Sequence, residues 1–322
     1  DRQQHFGFVI PDDERIGTDI FVDLKNTLDA RSGAKVLVKI TEWPEGDKKP
    51  EGIITEILGY KGDIGLDINC IMANHKIPFN FPDDVIKASK KIDTVIHNDP
   101  ARWDLRDIQM VTIDGEDAKD LDDAVSGRKL PNGNYELGVH IADVSHYVTS
   151  GQPIDNEAYK RGTSVYLVDR VVPMLPEVLS NGICSLNAHE DRYAMTCMME
   201  IDHTGKVVNY RIRPSIIHVG RRCSYKEVYK ALEENIIPDD LHDFMPMLRE
   251  LAEISKILNT MRRRRGALDF DFPEYKVLLD HDGTPLRIVK RDRTMAERLI
   301  EECMLIANET VATHLELSLI HI

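Results

Sequence analysis

The sequence predicts an α+β protein in two parts: an OB-type β-barrel over residues 1–62 and a larger mixed α/β domain over residues 107–315, joined by a connector over 63–106. Three observations carry this reading. Residues 6–60 hold short β-type runs separated by turn signals. Past residue 107 strand-like runs alternate with helical ones. Two of the helices are bounded by recognisable capping residues.

In chain order, FGFVI (6–10), DIFV (19–22), KVLVKITEW (35–43) and IITEILG (53–59) are the strand-like runs, with PDDERIGT and PEGDKKPEG as the turn regions between them. Side chains alternate across a strand, so Phe6 and Phe8 share a face, and Phe21 follows in the next run. Taken alone, such a set is more often core than a stacking surface. Pro78, Pro82 and Pro100 punctuate the connector, which carries a short helix near 83–92. The larger part presents MVTID, YELGVHIADV, SVYLV, YAMTCMMEID and VVNYRIRPSIIHV as strands. Around 245–265, Leu248, Leu251, Ile254 and Leu258 recur at helical spacing, and Gly266 follows a basic last turn. Thr294-Met295-Ala296-Glu297 is a capping box that opens a helix through Leu299, Ile300, Met304 and Ile306 to about residue 315. No internal repeat or low-complexity tract is seen.

With 322 residues, 42% hydrophobic and 30% charged, the chain can bury a sizeable core. No run of 18 apolar residues and no signal-like start is found, so no membrane partner is expected and a cytoplasmic location is the default. Cys70, Cys184, Cys197, Cys223 and Cys303 are odd in number and widely spaced, which points to small buried hydrophobes rather than disulfides or zinc ligands. A formal charge of −14 excludes a chain coated with phosphate-binding lysines. Local basic runs occur at Lys87, Lys90 and Lys91, at Arg262 to Arg265, and at Lys290, Arg291 and Arg293; taken alone, each is a solvated helix end.

The most informative stretch is TIDGEDAKDLDDAV (112–125), with six acids between Asp114 and Asp123. Like charges held this close call for a compensating cation. Hard oxygen donors without His or Cys select Mg²⁺, or Mn²⁺, over zinc. An EF-hand does not fit, because Gly115 directly follows the first aspartate. A DxD motif of the sugar-transferase kind could be drawn through Asp120 and Asp122. A solvated acidic loop leaves Ile113, Leu121, Ala124 and Val125 unexplained, since acids interleaved with core-type residues suggest carboxylates facing inward.

The same stretch resembles the signature of the RNB catalytic domain in the family of ribonucleases II and R. YELGVHIADVSHYV, GTSVYLVDRVVPMLPEVLSNGICSLN, RGALDFDFPE and AERLIEECMLIANETVA extend the resemblance, and FGFVIPDDERIGTDIFV is similar to the cold-shock domain that precedes RNB in ribonuclease R. Together they span residues 5 to 314. The resemblance implies metal-assisted hydrolysis of single-stranded RNA from the 3′ end, processively, to 5′-mononucleotides. Two ions held by carboxylates suit such an in-line displacement.

Carried over residue by residue, the metal-organising and catalytic aspartates are Asp114, Asp120, Asp122 and Asp123, with Asp122 closest to the chemistry. Tyr166 is the aromatic that stacks on the 3′-terminal nucleotide, and Phe270 packs near the other end of the bound oligonucleotide, with Phe272 two residues on. Tyr225 and Glu302 match positions near the ribose, where 2′-hydroxyl contacts favour RNA. Phe6, Phe8 and Phe21 match the cold-shock stacking surface.

The family pattern continues past residue 322 with a segment like SPIRRYxD, whose arginines face the reacting phosphate, and then an S1 domain, so the resemblance is to a truncated RNB domain and a weakly active or inactive one by itself. Residues 316–322 do not match that continuation and read as an atypical tail. Two rival readings remain at this point: a noncatalytic RNA-binding protein on an RNB scaffold, which has no need of four clustered aspartates, and a DxD sugar transferase, which gives no role to Phe6, Phe8 and Phe21. No small-molecule cofactor is implied, and oligomeric state is not legible.

Overall fold

A computed structural model describes residues 2–3, 5–43, 49–268, 272–291 and 293–318. The chain divides into two compact units: Asp1–Asn80 with Ser164–Val172 and Lys276–Val289, and Phe81–Thr163 with Pro173–Tyr275 and Lys290–Ile322.

In the first unit, strands β1 (Phe6–Val9), β2 (Ile20–Asp23), β3 (Ala34–Glu42) and β4 (Glu51–Tyr60) precede helix α1 (Leu66–Asn74). The alternation read from the sequence sorts the side chains of β1 and β2 cleanly. Phe8 lies opposite Phe21 and Gly7 opposite Val22; Ile20 and Val22 go into a small core with Ala30 and Ile54. Phe6, Phe8 and Phe21 therefore stand on the other face. The expected barrel is an open sheet among the described residues, ordered β1-β2-β4-β3. The two hairpins meet through a single ladder pair, Phe21 opposite Glu51, and register shifts interrupt β3 and β4, so the edges of β1 and β3 are not joined.

The second unit is built on a seven-stranded sheet. Its elements are α2 (Asp83–Ser89), β5 (Trp103–Asp104), β6 (Val111–Asp114), β7 (Asp123–Lys129), β8 (Tyr135–Ala142), α3 (Val144–Tyr147) and α4 (Pro153–Arg161). The short strands β9 (Val165–Tyr166) and β10 (Val171–Val172), which fall in the first unit, come next in the chain. Then follow β11 (Asp191–Ile201), β12 (Val207–His218), β13 (Arg221–Ser224), α5 (Tyr225–Glu233) and α6 (Met245–Arg264), then a hairpin of β14 (Glu274–Leu279) and β15 (Pro285–Arg291) that falls mostly in the first unit, and α7 (Met295–Leu317). The sheet order is β13-β6-β7-β8-β11-β12-β5.

Both faces of this sheet are covered, which is why its strands read as nearly continuous apolar runs. Val111, Ile113, Val125, Leu137 and Met199 pack under α5, α6 and α7. Ala124, Ala142, Ala194 and Ile217 face the opposite layer, built by Ile154 of α4 and by Leu175, Leu179 and Ile183. Helix α6 is placed by the predicted stripe, since Leu248, Leu251, Ile254 and Leu258 are all buried. Each contributes about 1.5–3 kcal/mol of apolar burial. A methyl at Gly127 of β7 would sit 2.7 Å from Leu251, so the missing side chain is what lets α6 approach the sheet. The capping box at Thr294 and Glu297 forms as read, and α7 runs to Leu317, into the stretch read as a tail. Cys184, Cys197, Cys223 and Cys303 are buried free thiols and Cys70 is half-buried.

Candidate active site

Strand β6 ends at Asp114 and its antiparallel neighbour β7 begins at Asp123, so the two lie at the same end of the sheet. The loop between them carries Asp120 and Asp122. Parallel to β6, β13 places Ser224 opposite Asp114, and Ser224 is the N-cap of α5. A helix N-terminus, with its partial positive charge, thus starts beside the first aspartate. On the other side, the amide of Ala142 donates to the carbonyl of Asp122 at 2.9 Å, tying the end of the loop to β8. Clustering follows from topology: the ends of β6, β8 and β13 and the start of β7 share one edge.

The electrostatics of this edge are unfavourable for bare carboxylates. Burial raises the Asp123 carboxyl to about 6, reinforced by Asp114 and then Asp122. Burial also raises Asp122, helped by Asp120 and Asp114. Asp114 is raised by burial and by Asp120, against the Gly115 amide it accepts from and the charges of Arg222 and Arg291. Asp122 is open to solvent while Asp123 is half-buried. Among the described residues neither has an ion-pair or hydrogen-bond partner for its carboxylate. No three of the four bring carboxylate oxygens within 4.8 Å of one another, as Asp280, His281 and Asp282 do at the exposed tip of the β14–β15 hairpin. Four hard oxygen donors, repelling one another without a neutralising partner on the last two, are a donor set that fits a divalent cation.

Comparison with known proteins decides the family, because an RNB domain model matches residues 102–321, and a cold-shock domain model matches residues 8–82. The chain belongs to the RNB family. Ribonuclease R of Thermotoga maritima is 47% identical over 97% of the chain and 45% of the relative, and ribonuclease R 1 of Lactococcus lactis is 44% identical over 96% of the chain and 38% of the relative. The solved structure of Mycoplasma genitalium RNase R in complex with double-stranded RNA superposes with a TM-score of 0.89 at 30% identity, covering 98% of the chain and 57% of that protein. The chain thus spans less than half the length of the two curated relatives.

Of the other residues expected to contact substrate, Tyr225 joins the RNB aspartates. It opens α5, is half-buried, and has its phenol pushed upward by burial and then by Asp114 and Asp123, so it stays a neutral donor. Tyr225 also lines an open cavity of about 900 Å³ with Arg262, Phe272, Lys290, Arg291, Arg293 and residues of α7. Glu302 is placed differently. It is buried in the α6–α7 contact, where its carboxylate accepts from Asn259 at 2.8 Å and from Arg262 at 2.7 Å. That pair also removes Arg262 from the set of solvated basic residues, as pairing with Glu309 does for Arg265 and pairing with Glu301 does for Arg293. Tyr166 stands exposed in the β9–β10 hairpin of the first unit, opposite Val171. Phe270 lies outside the described residues. Phe6, Phe8 and Phe21 form a half-exposed triad with ring centroids 5.5–6.0 Å apart, and the Lys49 ammonium lies 4.3 Å above the Phe8 ring.

Two groups at the RNB edge escaped the sequence reading: Arg222, which reaches the acidic loop from β13, and Ser185, which holds its far half. Nothing local in the sequence signals either. Among the described residues no helix is long and apolar enough to cross a membrane.

Proposed function

We propose that this protein hydrolyses single-stranded RNA from the 3′ end, processively, releasing 5′-mononucleotides, with Mg²⁺ or Mn²⁺ held by Asp114, Asp120, Asp122 and Asp123. The observation that carries the reading is the convergence of four carboxylates at one sheet edge, two of them without a cationic partner. Support comes also from the named activity of the relatives and from a structural neighbour described as an RNA complex. We place the protein in the cytoplasm.

In this reading the four aspartates anchor the divalent ions, which when bound supply an activated water and neutralise charge on the leaving oxygen. Asp122, the most open of the four, faces the reacting phosphate. Tyr166 and Phe270 stack on bases, which tolerates any sequence. Tyr225, protonated at neutral pH, donates to a ribose hydroxyl, while Glu302, bound to Asn259 and Arg262, holds the α6–α7 contact beneath the cavity that Tyr225 lines. On the cold-shock sheet, Phe6, Phe8 and Phe21 offer ring faces to incoming bases, with Lys49 and the phosphate backbone in electrostatic reach.

The deciding experiment is calorimetry with Mn²⁺ on the protein and on an Asp122→Asn/Asp123→Asn variant. Binding that is lost in the variant is the expected result; binding that is equal in both, or absent from the folded wild type, refutes the site. Separately, Phe8→Ala is expected to weaken single-stranded RNA binding by about 1–3 kcal/mol, the cost of one lost stack. Fluorescence anisotropy with a labelled oligonucleotide measures it, alongside circular dichroism to establish that the sheet is intact. Unchanged affinity would remove the triad from the binding surface.

A further inference from the structure

The stretch from Asp114 to Asp123 has to keep the four aspartates of the candidate site in a fixed spacing. One turn closes it, with the Ala118 amide donating to the Gly115 carbonyl at 3.2 Å. One guanidinium group gathers much of the first half. Arg222 Nη2 donates to the carbonyls of Ala118 at 2.7 Å, Glu116 at 3.0 Å and Gly115 at 3.3 Å. The neighbouring Lys226 ammonium lies 3.4 Å from the Glu116 carboxylate.

The origin of this arginine matters as much as its contacts. Arg222 sits in β13, paired in parallel register with Thr112 of β6, two ladder positions before Ser224 meets Asp114. Its base is therefore fixed by the same ladder that fixes the first aspartate. The far half of the loop is held from another element. The Ser185 hydroxyl donates to the Lys119 carbonyl at 2.8 Å and accepts from the Leu121 amide at 3.1 Å. Ser185 is fully buried, and its own carbonyl accepts from Arg192 at 2.8 Å.

We propose that Arg222 is a positioning residue for the divalent-ion site: by gathering three carbonyls of the loop onto one nitrogen of its rigid guanidinium plane, it fixes where Asp120, Asp122 and Asp123 fall relative to Asp114. The inference rests on the reading of these aspartates as the ion site. Arg222 itself touches neither ion nor substrate in this scheme. Its charge also favours ionised Asp114, so the geometric role has to be separated from a purely electrostatic one. Arg and Lys differ here: Lys keeps the charge, but its ammonium rides on a flexible stem, whereas the donating nitrogen of Arg222 is held in a rigid guanidinium plane.

The test is Mn²⁺ affinity of the protein, read by electron paramagnetic resonance of the free ion, for wild type, Arg222→Lys, Arg222→Gln and Asp122→Asn/Asp123→Asn. Melting in the absence of metal is followed in parallel. Groups that orient ligands typically contribute about 10- to 100-fold in metal affinity. Arg222→Lys and Arg222→Gln should both lose that much, with ion-free melting close to wild type because the arginine lies on the surface. Wild-type affinity in Arg222→Lys together with a loss in Arg222→Gln would mean that charge alone matters, and the positioning role falls. Wild-type affinity in both overturns it as well. If the double aspartate variant also binds Mn²⁺ like wild type, the ion site itself is wrong, and that failure is distinguishable from failure of the Arg222 role. Should one arginine variant fail to fold, the other decides, since the rigid guanidinium is lost in each.

Discussion

Asp122→Asn is expected to lower RNA hydrolysis by on the order of 10³-fold or more while leaving RNA affinity within a few-fold of wild type. The asymmetry follows from the site. The main chain at Asp122 is held by the Ala142 amide, so replacing one carboxylate oxygen by an amide nitrogen leaves the loop path intact. No ion pair is broken, because among the described residues the Asp122 carboxylate has none. What disappears is a negative oxygen donor at the edge where four converge. Removal of one preorganised electrostatic group costs about 10²–10³ in rate, and groups that act as a unit fail together, which places this substitution at or above the upper end. RNA contacts on the aromatic residues are untouched. A time course on 5′-labelled single-stranded RNA with Mg²⁺ reads the rate, and anisotropy reads the affinity. Stepwise mononucleotide release at wild-type rate by the variant would strip Asp122 of its catalytic role.

Asp123→Asn should act in opposite directions with and without divalent ions. Asp123 is half-buried between Asp114 and Asp122, and its carboxyl is raised to about 6 from 3.8. The folded chain then holds the proton more tightly than the unfolded chain does. Without metal, stability due to this group is complete below about pH 4, declines as pH rises from about 4 to about 6, and stays at its lower level above that. At 1.36 kcal/mol per unit, the shift corresponds to about 1–3 kcal/mol at neutral pH. The neutral amide avoids this penalty, so metal-free Asp123→Asn should be the more stable protein at pH 7 and equal to wild type below about pH 4. Saturating Mn²⁺ reverses the order, because the ion stabilises the deprotonated wild type and has one ligand fewer in the variant. By the same linkage, wild-type Mn²⁺ affinity should fall as pH drops below about 6. Urea unfolding of both proteins from pH 4 to 8, with EDTA and with Mn²⁺, measures all of this. A stability difference that does not vary with pH in EDTA would show that Asp123 carries no raised carboxyl.

Much of this architecture is legible locally. The two long helices are written in their apolar stripe and capping box, because a helix satisfies its backbone within itself and its ends need only nearby residues. The Phe6-Gly7-Phe8 alternation gives which side chains share a face of β1, since that periodicity is a property of one strand. Which face is core is not contained in it. Ile20, Val22, Ala30 and Ile54 come together only when the sheet forms, and the rings are left on the outside. Closure of the barrel was likewise overestimated, because pairing between the hairpins is a long-range matter and here comes down to one ladder pair.

At the candidate site, the sequence by itself determined the acidic stretch, since six acids interleaved with apolar residues are visible without any fold, while the choice of Asp114, Asp120, Asp122 and Asp123 among them came from the resemblance to the RNB signature. Their chemistry as hard oxygen donors follows from residue type alone. The tertiary structure decided the rest. It brought Tyr225 to Asp114 and Asp123 by laying β13 beside β6, and it committed Glu302 to Asn259 and Arg262 in the α6–α7 contact. It also set Arg222 on the acidic loop across 104–107 residues of chain. No pattern in a linear sequence marks such a contact, because an arginine that will pair with a distant backbone carbonyl is indistinguishable, residue for residue, from one that will face water. Which of the two it becomes is fixed only when the strand ladder places it.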